Sequence, residues 1–158
     1  MTSPTDSMSA PASRSDASPT ATLLARRPAW QVCYLSALAA CVAVEACGLL
    51  ARAAGVPMRA AGLGSQHATS ITVGMFAMGT MIVTFWFTFA VILIARVAKR
   101  PARTYLRTAL PLLALSLVVP LTAADTAVST RLTLALAHVI AGAIIIPTVA
   151  RRLPRARS

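Results

Sequence analysis

The sequence predicts an all-α integral membrane protein: a four-helix bundle with a disordered N-terminal tail. Three observations carry that expectation. Four apolar stretches, at about 30–50, 71–95, 108–123 and 132–149, occupy most of the 158 residues. Each is about as long as a helix rising about 1.5 Å per residue must be to cross about 30 Å of hydrocarbon. The composition agrees, with 57% of residues hydrophobic and 12% charged, where an ordinary soluble domain carries about 25% charged residues. Finally, every charged residue except Glu45 lies between or beyond the stretches.

Residues 1–28 are dominated by Ser, Thr, Pro and Ala, as in Thr2-Ser3-Pro4-Thr5. Such a segment buries too little apolar area to offset its ordering entropy, which predicts disorder. It closes on Arg26-Arg27-Pro28, and Trp30 follows at the expected headgroup level. The first stretch superficially resembles a secretory signal, with Ala51-Arg52-Ala53 as a small-x-small site. Its apolar run of roughly twenty residues exceeds a signal core of about 7–15, and it contains Glu45. A retained helix is therefore expected.

Gly55, Pro57, Gly62 and Gly64 predict a long loop over 51–70. The second stretch carries no charge and four large aromatic residues, Phe85, Trp86, Phe87 and Phe89. A short, strongly basic connection is expected around 96–107. The third stretch places Pro111 in its first turn, where a missing N–H is tolerated, and Pro120 near its other end, where a kink or the end of the helix is expected. A tight turn at 124–131 leads to the fourth stretch, expected to end at Pro147 before Arg151-Arg152. The transmembrane domain thus spans 29–151, and 152–158 forms a basic tail.

Basic residues favour the cytoplasmic side. Four spans place the tail, the second connection and the C-terminus together, with twelve of the fifteen cations: Arg14, Arg26, Arg27, Arg96, Lys99, Arg100, Arg103, Arg107, Arg151, Arg152, Arg155 and Arg157. Only Arg52, Arg59 and Arg131 fall on the other side. Both termini are therefore expected in the cytoplasm of a multi-pass cell-membrane protein. The basic segments are expected against anionic lipid headgroups. The net charge of +11 does not point to nucleic acid, because the cations flank apolar runs and form no face of a soluble fold.

The polar residues inside the spans are the candidates for function, since each is costly in lipid. Glu45 lies five residues before Leu50, roughly 7–8 Å inside the outer end of the first helix. A bare carboxylate there is heavily penalised, so it is expected to be neutralised, paired with a cation or open to water. His138 lies roughly 9 Å into the fourth helix from the same side. Similar depth predicts a Glu45–His138 hydrogen bond across the bundle, as an interhelical clasp or as a proton or cation site. Thr80, Thr84 and Thr88 recur every four residues. They are expected to bond their own helix at i−4, the alternative being a wet stripe along a pathway.

Small residues predict close helix approach: Ser36, Ala39, Ala40, Ala43, Cys47 and Gly48 on the first helix, Ala137, Ala141, Gly142 and Ala143 on the fourth. Met75, Met78 and Met81 read as adaptable packing. Cys33, Cys41 and Cys47 form no C-x-x-C pair, have no His at ligand spacing, and cannot bridge within one helix. His67 stands alone in the outer loop. Neither a metal nor another cofactor is expected. Ser116 and His138 lack the third group of a nucleophilic triad, so an enzyme is not expected.

Three segments carry a family resemblance: Lys99-Arg100-Pro101-Ala102-Arg103-Thr104, Leu115-Ser116-Leu117-Val118-Val119-Pro120-Leu121, and Ala135 through Pro147 with His138 and Gly142 inside it. In this order they resemble an uncharacterised family, a domain of unknown function, of small four-span membrane proteins from high-GC Gram-positive bacteria. The layout agrees over about 30–150. The absence of Asn and the ratio of fourteen Arg to one Lys fit such an origin. The resemblance implies the fold and no activity, substrate or cofactor. The residues therefore favour a structural or interaction bundle, which associates with itself or with a membrane partner. The alternative is a small oligomeric transporter or channel subunit using Glu45 and His138.

Overall fold

The computed structural model describes residues 27–62 and 67–154. All but the last two residues of the expected disordered tail lie outside the described chain. The four apolar stretches form four helices: α1 (Ala29–Ala53), α2 (Met75–Val97), α3 (Pro101–Thr122) and α4 (Val128–Arg152). All four are long and apolar enough to cross a membrane. At about 1.5 Å per residue they run roughly 33–38 Å.

The helix ends differ from expectation. Pro101 stands at the N1 position and starts α3 seven residues before 108, because a proline there gives up no intrahelical hydrogen bond. Arg103 and Arg107 therefore ride on the exposed side of a helix, where long stems lie along apolar surface and carry the charge toward water. Pro111 lies inside α3 rather than in its first turn, and α4 continues through Pro147 to Arg152. Membrane helices tolerate such prolines when neighbouring groups re-satisfy the freed backbone.

The 51–70 connection holds a short antiparallel hairpin in place of the expected irregular loop. Its strands are β1 (Arg59–Ala61) and β2 (Ala68–Ser70), with Arg59 opposite Ser70 and Ala61 opposite Ala68. A hairpin this small is marginal alone. Its neighbours hold it. Ile71 N–H donates to Met58 O at 2.8 Å, Ala61 N–H to Thr126 Oγ1 at 3.2 Å and Ala68 N–H to Asp125 Oδ2 at 3.2 Å. The last two bonds stitch the hairpin to the α3–α4 turn.

α1 packs against both α4 and α2, and α3 packs against α4; of the four neighbouring pairs, α2 and α3 touch least. α1 is accordingly the most buried helix, with Cys33, Ala37, Ala40 and Val44 inside. Its expected small-residue stripe is partly used: Ser36, Ala40 and Gly48 are buried and Ala39 is exposed. Gly48 is needed, because a Cβ there would stand 2.9 Å from the Phe76 ring.

The packed side chains form two clusters. With the hairpin end labelled outer and the end bearing the basic connection labelled inner, the outer cluster joins Val44, Met58, Phe76 and Ala137, and the inner one joins Cys33, Val91, Tyr105, Ala109, Val149 and Leu153. Outside them, Trp86, Phe89, Leu93, Leu115 and Leu132 are exposed. Such a surface is rare on a soluble monomer and is what hydrocarbon solvates.

Candidate functional site

Between the two clusters lies a cavity of about 510 Å³. α2 supplies Gly79, Thr80, Val83, Thr84 and Phe87; α3 supplies Leu112, Leu113 and Ser116; α4 supplies Leu134, His138, Ala141 and Ile145. Ala61 and Thr69 of the hairpin lie at its outer end. α2 and α3 meet at the inner end, where the Phe87 and Tyr105 rings lie 5.8 Å apart. Farther out they diverge around the cavity.

The walls are mainly apolar, and the few polar groups in them are largely committed. Thr80 Oγ1 donates to Phe76 O at 2.8 Å and Ser116 Oγ to Leu113 O at 2.7 Å. Below Thr84, Thr88 Oγ1 donates to Thr84 O at 2.7 Å. His138 Nδ1 lies 2.8 Å from Leu134 O. A carbonyl only accepts, so Nδ1 carries the hydrogen, and in the neutral ring Nε2 is left as an acceptor. No charged side chain lines the cavity.

Three of the four residues singled out from sequence thus share one site: Thr80, Thr84 and His138. Glu45 does not. Its Oε1 accepts from Gly74 N–H at 2.7 Å and its Oε2 from Ala77 N–H at 3.2 Å. Both donors lie at the N-terminal end of α2, and Gly74 adopts φ +90° as its N-cap, a conformation that favours glycine. α2 has no side-chain cap of its own. A carboxylate reaching across from α1 therefore supplies what a capping residue would, at the positive end of the helix dipole. Seven residues on, Arg52 Nη2 donates to Ile71 O at 2.7 Å. α1 thus grips the start of α2 at two levels.

The expected Glu45–His138 hydrogen bond is not formed. Depth explains it in part. Glu45 lies eight residues from Ala53, roughly 12 Å along α1, and His138 lies ten residues from Val128, roughly 15 Å along α4. The larger reason is that both side chains are engaged locally. Ser116 stands in the sequence within the Leu115–Leu121 segment and as an insufficient triad member, and no local signal marks its place in the cavity wall.

At the inner end a second, basic hollow is lined by Lys99, Arg100, Arg103, Thr104 and Arg107. Ala102 N–H donates to Pro154 O at 3.2 Å, and Arg152 Nε donates to Arg27 O. These contacts gather the start of α1, the start of α3 and the end of α4 at one end of the bundle. Among the described residues, no group of three His, Cys, Asp or Glu side chains is placed to hold a metal ion.

Four apolar spans, with a hydrogen-bonded hairpin at one end and a basic hollow at the other, define a small multi-pass helical membrane protein. Comparison of the chain with family models narrows the class. It belongs to the family of unknown function DUF6069, whose model matches residues 24–155. No curated protein and no solved structure matches the chain.

Proposed function

We propose that this protein is a non-catalytic membrane bundle that acts by binding or association, and that it is not a cation pathway. The observation behind this reading is the use of Glu45. It is the one acid within the spans. Both its oxygens are occupied by the N–H groups that start α2, and it is absent from the cavity that His138 lines. An acid–base relay needs partners within hydrogen-bond reach, and this pair lacks that contact.

The same reading places both termini in the cytoplasm. Arg27, Arg96, Lys99, Arg100, Arg103, Arg107, Arg151 and Arg152 supply the cations of the inner end among the described residues, and the positive-inside rule assigns that end to the cytoplasm. The basic hollow there faces anionic lipid headgroups. Its cations Arg100 and Arg103 stand at the positive N-terminal end of α3, whose first turn holds no acid. That arrangement is self-repelling until an anion neutralises it.

Proton flux into liposomes holding the full chain tests the functional reading. Wild type and Glu45→Gln are expected to match protein-free liposomes. A pH-driven flux that falls in Glu45→Gln would overturn it and restore the transporter alternative. A fluorescent protein fused after Ser158 tests the orientation. It is expected to fluoresce from the cytoplasm, whereas an active exported reporter at the same point would reverse the topology.

A further inference from the structure

We propose that the α2–α3–α4 cavity is a binding site for a neutral, lipid-soluble hydroxyl compound: a phenol or alcohol with a largely apolar body. This assignment rests on the binding-bundle reading above and names the chemistry of what is bound.

The size comes first. About 510 Å³ falls within the roughly 300–1,000 Å³ of small-molecule pockets. Parts of the same wall are closely packed. A Cβ on Gly142 would stand 2.6 Å from Leu113 Cδ2, and one on Gly48 would stand 2.9 Å from the Phe76 ring. Those two glycines let neighbours pack. Gly79 and Gly142 both line the cavity, but a Cβ on Gly79 would meet nothing within 4 Å. A glycine inside a helix costs about 1 kcal/mol relative to alanine. At this position no close approach offsets that cost, and the missing side chain widens the space.

The polar groups set the chemistry. His138 Nε2 offers a lone pair. The Thr80 and Ser116 hydroxyls donate to their own helices and keep acceptor capacity. Among the described residues Thr84 Oγ1 makes no such bond and can donate or accept, so the wall is richer in acceptors than in donors. With no charged side chain in the lining, an ionic ligand would lose its hydration without a counter-charge. A ligand hydroxyl supplies a donor to those acceptors, and Phe87, Leu112, Leu134 and Ile145 supply apolar contact. The hairpin and its stitch to the α3–α4 turn lie over the outer end. Gly79, Val83 and Leu112 of the lining are exposed, so the cavity opens on the apolar surface and the bilayer is the route of access.

The probe is a diazirine-bearing hexadecanol, with its methyl ether as the control that lacks the donor. Each is photolysed with the full chain in nanodiscs, and adducts are mapped by peptide mass spectrometry. Expected in wild type are adducts on cavity-lining residues, with the alcohol labelling about fivefold more than the ether, the effect of one hydrogen bond. His138→Phe is expected to erase that preference, and Gly79→Leu to abolish cavity adducts from both probes while helix content is kept. Equal labelling of wild type by alcohol and ether overturns the assignment without relying on any variant. So do adducts confined to the outward Trp86 and Phe89, or cavity adducts that survive Gly79→Leu. A cross-link through the cavity to a second copy would assign the space to self-association instead. Any of these with no proton flux defeats this inference alone, whereas Glu45-dependent flux defeats the reading beneath it.

Discussion

The contact of α2 with α1 and its contact with α3 are opposite in kind. Against α1, the start of α2 is gripped by Glu45 and Arg52 and seated over Gly48. Against α3, α2 stands apart over its outer part and leaves a cavity beside Gly79. Both faces belong to one apolar helix, so hydrophobicity does not distinguish them. In lipid, association depends on close packing and on polar contacts. The α1 face has both. The α3 face, beyond the Phe87–Tyr105 contact, exchanges packing for space.

One substitution made at two glycines breaks this comparison most directly. Gly48→Leu drives a side chain into the Phe76 ring and is expected to destabilise by about 3 kcal/mol, the upper range for overpacking. Gly79→Leu enters open space and gains helix propensity, so it is expected to stabilise by up to about 1 kcal/mol. Unfolding in mixed micelles measures both, and equal losses at the two sites would erase the distinction.

Smaller effects sharpen it. Glu45→Ala leaves two N–H groups at the start of α2 without acceptors, with an expected loss of about 2 kcal/mol. Glu45→Gln keeps one acceptor oxygen and is expected to lose about half as much. If Gln costs as much as Ala, the cap is not what holds the two helices. The smallest effect is a null one. In the cycle combining Glu45→Gln with His138→Ala, the losses are expected to add within about 0.5 kcal/mol. A larger coupling would tie the clasp to the cavity.

The spans were legible because a membrane helix must be apolar over its whole length, and nothing in the protein overrides that requirement. Their ends were less so. Residues 101–107 are basic and read as a connection, yet a helix emerging into the headgroup region tolerates arginines on its surface. The hairpin left no local sign, since its strands of three residues depend on Asp125 and Thr126, far along the chain. Among the site residues, His138, Thr80 and Thr84 stood out as polar groups in apolar runs, and the cavity gathers them. The role of Glu45 was misread because α2 begins at Met75 and not at Ile71. A usable signal existed. Val73-Gly74 just before that start offers no capping side chain, so α2 required an acceptor from elsewhere.

The loosest of the four neighbouring helix pairs, α2 with α3, is joined by the shortest connection, while the first and last helices share the most extensive contact. The circle of helices is therefore closed by α1 against α4, and the covalent link at 98–100 adds little that this contact does not already secure. Two separately encoded fragments, 1–98 and 99–158, should find each other in the same bilayer and rebuild the whole, with the seam falling where the molecule is already parted.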